Sequence, residues 1–157
     1  MTNKLNYIIL KEEELILEYY CGKFYAEELI DFKRKIGLDP CYKASFDVIS
    51  DIRNSELLFS FDEVEKYVEF LFKNPEYIGA RKTAMITKTP NQVVASLGFD
   101  MQRRKLPMSY KIFSTFEAAY TFLELSSTSI NNVDSAINKL RIDCDCSFKI
   151  DTKYFTS

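Results

Sequence analysis

Short apolar runs with a period of two alternate along this chain with amphipathic stretches of period 3.6. That alternation constrains the fold more than any other feature. Leu5 to Leu10 forms the first strand-like run, and the charged turn Lys11-Glu12-Glu13-Glu14 follows it. In the second run Leu15, Leu17, Tyr19 and Cys21 alternate with Ile16, Glu18 and Tyr20, and Gly22 closes it. So short a link predicts an antiparallel hairpin. A helix is expected from near Tyr25, with Leu29, Phe32, Lys33 and Ile36 on one face and Glu27, Glu28, Asp31 and Arg34 on the other. Gly37 is placed to stop it, before an Asp39-Pro40 turn. Phe46 to Ser50 reads as a buried strand that ends at Asp51.

Three strand–helix units follow in the same manner. Ser60-Phe61-Asp62-Glu63 predicts a capping box, ahead of a stripe of Val64, Val68, Leu71 and Phe72 that Asn74-Pro75 terminates. Arg81 to Thr87 reads as a strand, and Thr89-Pro90 supplies a cap residue and a first-turn proline. The helix they open is expected to turn Val93, Val94, Leu97 and Met101 inward. Tyr110 to Phe113 is the last strand of the set. Ser114-Thr115-Phe116-Glu117 predicts a second capping box, with Phe116, Ala119, Tyr120 and Leu123 facing the core. Strands that alternate with helices imply parallel pairs joined by crossovers. The fold class is therefore α/β: one mixed sheet with an antiparallel N-terminal hairpin, parallel strand–helix units and covering helices.

Residues 1–125 read as one such domain. Beyond it, Ser126 to Asn132 reads as a polar linker, and Val133, Ile137 and Leu140 as one face of a short helix. Ile142, Cys144, Cys146, Phe148 and Ile150 alternate with polar neighbours, which predicts a terminal strand. A lone strand leaves its amides unpaired, so this one is expected to join a sheet edge of its own chain or of a second subunit. Residues 126–157 are on this reading an appended linker, helix and strand, and self-association is one route to their pairing.

Composition narrows the function classes. The chain has 157 residues, which suits one domain, and 21 basic against 23 acidic side chains, a net charge of -2 that points to no nucleic-acid partner. Histidine is absent, and with it the commonest general base and metal ligand. No run approaches the roughly 20 apolar residues of a membrane helix, and the start carries no signal-peptide core. A cytoplasmic protein with no integral membrane segment and with its four cysteines reduced is expected. Cys144-x-Cys146, with no histidine and no second pair, is no zinc site, and neither a metal nor a cofactor is expected.

Three phrases, FDVISDIR (Phe46 to Arg53), GARKTAMITKTP (Gly79 to Pro90) and YKIFSTFEAAYTFL (Tyr110 to Leu123), together with the opening hairpin, resemble the SpoIIAA-like proteins. This is the fold of STAS domains and anti-sigma factor antagonists, and the likeness covers about residues 5–125. It is greatest to a divergent branch whose strands end in a comparable Asp-x-Arg phrase. The resemblance implies a SpoIIAA-like fold and protein partners. Antagonist-type relatives carry a phosphorylatable serine just before the second helix; here Ser60 holds that place, without the aspartate–serine phrase around it.

Several residues are candidates for chemistry. Asp51 and Arg53 are expected where a parallel strand hands over to its connection, the place where open α/β sheets bind ligands. Asp51 can orient a polar group and Arg53 can clamp an acidic one, or the two can simply pair with each other. Leu57, Leu58 and Phe59 follow, either folded onto the core or offered to a partner. Thr87 and Thr89 flank Lys88 at a helix start whose amides can hold an anion, although capping alone also accounts for Thr89. The basic cluster Arg103-Arg104-Lys105 reads as a solvated helix end, with a phosphate, a nucleic acid or an acidic lipid surface as alternatives. No nucleophile has a base beside it, so no catalytic residue is named. The leading expectation is a noncatalytic regulatory or protein-binding domain that acts through residues 51–61, with Asp51, Arg53, Leu58, Phe59, Ser60, Thr87 and Thr89 as its site. The alternative is a small-molecule or lipid-binding domain with a pocket for an acidic ligand at the same loop.

Overall fold

In the computed structural model, which describes residues 3–144, the alternating periods resolve into five strands and five helices. In chain order these are β1 (Lys4–Leu10), β2 (Leu15–Phe24), α1 (Ala26–Gly37), β3 (Asp47–Leu57), α2 (Phe61–Lys73), β4 (Lys82–Ile86), α3 (Pro90–Gln102), β5 (Ser109–Phe113), α4 (Phe116–Phe122) and α5 (Ser127–Asp143). The strands form one sheet in the order β1-β2-β3-β4-β5. The β1–β2 hairpin is antiparallel and every later pair is parallel, the mixed sheet expected from the sequence. Gly22, at φ +120°, ends the regular part of the hairpin. It lies so close to Asn3 that a Cβ would meet that residue's backbone, which suits glycine alone.

The sheet is sandwiched. Ile16, Tyr20, Val48 and Ile52 face α1 and α2, while Leu15, Leu17, Tyr19, Ile49, Ala84 and Ile86 face α4 and α5. Helix α3 completes the first helical layer beside α2, over β3 and β5.

Strand β3 runs six residues beyond Asp51, so Asp51 and Arg53 lie within a strand and not in its connection. The β3–β4 ladder stops at Asp51–Ile86, yet β2 continues to pair with β3 as far as Leu57 past a bulge after Tyr19. The other edge of this overhang is held by Gln92 of α3. Its Nε2 donates to the carbonyls of Ile52 (2.9 Å), Arg53 (3.1 Å) and Ser55 (2.9 Å). One buried amide thus replaces the strand that is missing there.

Helix α3 is also turned relative to expectation. Val94, Leu97 and Met101 are exposed, and Gln92, Ser96 and Phe99 lie inward. Phe72 of α2 is likewise exposed. Capping differs in two places. Ser60 does accept from the Glu63 amide (3.3 Å), but the Glu63 carboxylate accepts from the Ala26 amide at the start of α1 (2.8 Å), so no reciprocal box forms. Thr115, not Ser114, caps α4.

The segment read as a linker is helical. Ser126 caps α5, whose Val133, Ile137 and Leu140 pack on the β2 face in the same core as α4. Helix α5 continues through Ile142 to Asp143, which corrects the expected start of the terminal strand. The rest of that strand lies outside the described residues. Cys41 and Cys144 are free thiols. No helix among the described residues is long and apolar enough to cross a membrane.

Candidate functional site: a buried cavity with surplus positive charge

The sequence-predicted residues do not converge. Because side chains alternate along β3, Asp51 and Arg53 face α4 and α5, while Ser50 and Ile52 face the opposite helical layer. Asp51 is buried and receives Arg53 in a fork, Nε to Oδ1 at 2.8 Å and Nη2 to Oδ2 at 2.9 Å. Arg141 of α5 stands 3.6 Å from the same carboxylate, and both guanidiniums lie over the Phe116 ring. This cluster ties β3 to α4 and α5. Arg53→Ala is expected to cost about 2–3 kcal/mol in urea denaturation, because it takes the bidentate partner from a buried carboxylate and leaves only Arg141 beside it.

Thr87 is buried and its hydroxyl donates to the Phe113 carbonyl (3.4 Å). Thr89 caps α3, and the Gln92 carbonyl oxygen already accepts from the Lys88 (2.7 Å) and Thr89 (3.1 Å) amides. The Lys88, Thr89 and Gln92 amides at this helix start are therefore occupied. Ser60 is an exposed cap, and Leu58 donates its amide to the Phe24 carbonyl (2.8 Å). Phe59, with Leu57, instead lines a cavity on the α1–α3 face of the sheet.

That cavity lies between the sheet and the first helical layer, with about 50 Å³ available to the centres of water-sized molecules, several times what one water needs. Its wall is mostly apolar or aromatic, including Val48, Ile52, Phe99 and Met108. Leu57, Phe59 and Phe99 are partly exposed members, at the carboxyl end of β3 and on α3. Against this background stand Lys33, Ser50, Arg81, Ser96 and Tyr110.

The charges do not balance. Glu18, on β2, forms an ion pair with Lys33 of α1 and accepts from the hydroxyls of Tyr20 (2.6 Å) and Ser50 (2.8 Å). Burial pushes its carboxyl upward, but Lys33 and the two hydroxyls outweigh burial and hold it below the usual carboxylate range. Lys33 is lowered, first by burial and further by Arg81, with Glu18 opposing. Arg81 is 7% exposed; its Nη2 donates to the Tyr77 carbonyl at 3.3 Å, while Nε and Nη1 are buried without a hydrogen bond. Tyr42 sits beside Arg81, and the Ser96 and Tyr110 hydroxyls sit beside each other, but none completes a properly directed bond. One carboxylate therefore faces two cations, and among the described residues Arg81 makes no ion pair. Burial also holds the Tyr110 hydroxyl protonated, as a potential donor.

Sequence reading put Lys33 on the apolar face of its helix and Glu18 on a strand beside Ile16 and Tyr20, and a charged residue among apolar neighbours is a signal that could have marked both as buried. Nothing local marks Arg81 as their neighbour. Among the described residues no cluster of His, Cys, Asp and Glu is arranged to hold a metal.

No protein-family model matches the chain, and no curated protein matches it. Among solved structures it is similar to an uncharacterised protein of the DUF3478 family from Shewanella loihica PV-4, which has a SpoIIAA-like fold. The TM-score is 0.53 at 15% identity, over 78% of this chain and 96% of that one. The antiparallel hairpin and the run of parallel strand–helix units are those expected from the sequence, and with this structural likeness the chain has a SpoIIAA-like fold.

Proposed function

We propose that this chain is a binding domain for a small organic anion, held in the cavity with its charged group on Arg81 and its apolar part against Phe99, Met108 and Ile52. The observation that carries the reading is the buried guanidinium, which makes no ion pair among the described residues. Water can meet its hydrogen-bonding needs but cannot neutralise it, and an unpaired charge inside a protein is costly. A carboxylate accepts strong bonds from a guanidinium, and the unbonded Nε and Nη1, on opposite sides of the group, each have a hydrogen to donate. The Tyr110 and Ser96 hydroxyls add donors near the same space. This is the small-molecule alternative of the sequence reading, moved from the Asp51 loop to the opposite face of the sheet; Phe59, expected to meet a partner, supports it as part of the wall.

The test is a thermal-shift and calorimetric series of short to medium carboxylates against alcohols of the same length. Carboxylates are expected to raise Tm in a saturable way and the alcohols to have little effect. Arg81→Met is expected to remove that response while leaving the unliganded protein at least as stable, since it deletes an unpaired charge and keeps the apolar volume. Equal binding of alcohols, or an undiminished response in Arg81→Met, would exclude the reading.

A further inference from the structure

Helix α3 buries a polar side and exposes an apolar one. Gln92 and Ser96 are inside, whereas Val94, Leu97 and Met101, spaced i, i+3 and i+7, are 68%, 47% and 70% exposed. These three share one face of a helix roughly 20 Å long. Phe72, 57% exposed on the neighbouring α2, lies beneath the Lys105 ammonium at 5.9 Å, which joins it to the end of α3. An exposed stripe of this kind costs free energy in water and suits an apolar surface.

The charges at its borders say which surface. Lys88 is exposed just before α3, and Arg104 and Lys105 are exposed in the single 3-10 turn that follows it. Arg103 points back instead, to Asp100 (2.8 Å) and the Met108 carbonyl (2.7 Å). Asp100 is the sole acid on α3 and pairs with Arg103; on α2 Glu69 pairs with Lys73, while Asp62 and Glu65 are exposed. The α3 stripe is thus bounded by cations at both ends and carries no unpaired acid on its own helix, within a chain whose net charge is -2.

We infer that the α3 face, with Phe72, docks on an anionic lipid bilayer, the apolar stripe entering the headgroup boundary and Lys88, Arg104 and Lys105 meeting lipid phosphates. A second copy of the chain would offer apolar surface but would bring the same cations against each other, so the charge pattern favours lipid. The inference does not depend on the cavity reading, because neither Arg81 nor the Glu18–Lys33 pair takes part.

The test is co-sedimentation of the full chain with vesicles of phosphatidylcholine alone and with one-quarter phosphatidylglycerol, at low and high salt. Binding is expected to the anionic vesicles only, weakening as salt rises. The double variants Leu97→Gln/Met101→Gln and Arg104→Glu/Lys105→Glu, all at exposed positions, are expected each to weaken it about tenfold or more, with Tm unchanged. Failure of the wild-type chain to bind anionic vesicles overturns the inference. So does equal binding by either folded variant, and so does a solution dimer that Leu97→Gln/Met101→Gln converts to monomer without vesicle binding. The carboxylate series can succeed or fail in any of these cases, which keeps the two proposals separable.

Discussion

Glu18→Ala is expected to cost about 3–5 kcal/mol in chemical denaturation, the largest effect of any single polar substitution proposed for this chain. The Glu18 side chain is 2% exposed and its Lys33 partner 11%. Removing the carboxylate leaves Lys33 beside Arg81 without its ion-pair partner, and strips an acceptor from Tyr20 and Ser50. Replacing both members of the pair, as Glu18→Leu with Lys33→Met, is expected to recover most of the loss, because an apolar pair avoids the desolvation that the ion pair only partly offsets. The carboxylate also sets a pH dependence. Its folded value is depressed, so its contribution is complete above the unfolded carboxyl value of about 4.3 and is lost as pH falls through the lower folded value. Urea midpoints from pH 7 down to 3 should therefore fall more steeply for the wild type than for Glu18→Gln, which cannot ionise there. Parallel slopes would show that folding leaves the Glu18 carboxyl unshifted.

The second large effect belongs to α5. Leu140 is 2% exposed and packs with Val133 and Ile137 on the face formed by Leu15, Leu17 and Tyr19. Leu140→Ala is expected to cost about 2–5 kcal/mol, the range for emptying a packed leucine site. Truncation after Leu125 removes the whole helix and uncovers that face. The shortened chain is expected to precipitate or to expose dye-binding apolar surface, where a loosely appended tail would leave a stable, well-behaved monomer. Size-exclusion chromatography with light scattering separates these outcomes directly.

Much of the fold was legible because the two apolar periods are clean. The hairpin follows from two strand-like runs joined by the short charged link Lys11-Glu12-Glu13-Glu14, and α1 from its apolar face and its stop at Gly37. The reading failed where a polar residue faces inward. Strand β3 was ended six residues early because Arg53-Asn54-Ser55-Glu56 does not read as a buried run; what extends it is pairing with β2 and the Gln92 amide, both remote in sequence. Helix α3 was turned the wrong way for a related reason. Gln92 and Ser96 lie inside because a strand overhang and a polar cavity need them there, and Val94, Leu97 and Met101 are left outside. The polar side of the cavity left a trace in the sequence, Lys33 on an apolar stripe and Glu18 between Ile16 and Tyr20 on one strand face, but only tertiary structure brings Arg81 to them.

The sheet order has a consequence for how the chain is made. Spatial order equals chain order from β1 to β5, so each strand leaving the ribosome finds its neighbour already present at a finished edge. The face beneath α5 is the exception. Residues 25–126, about a hundred, separate β2 from the helix that covers it, and at ordinary rates of synthesis that interval is roughly 5–20 s. Throughout it Leu15, Leu17 and Tyr19 lack the cover that α5 provides in the finished protein, which makes the nascent chain a natural client for a holding chaperone until its last helix emerges.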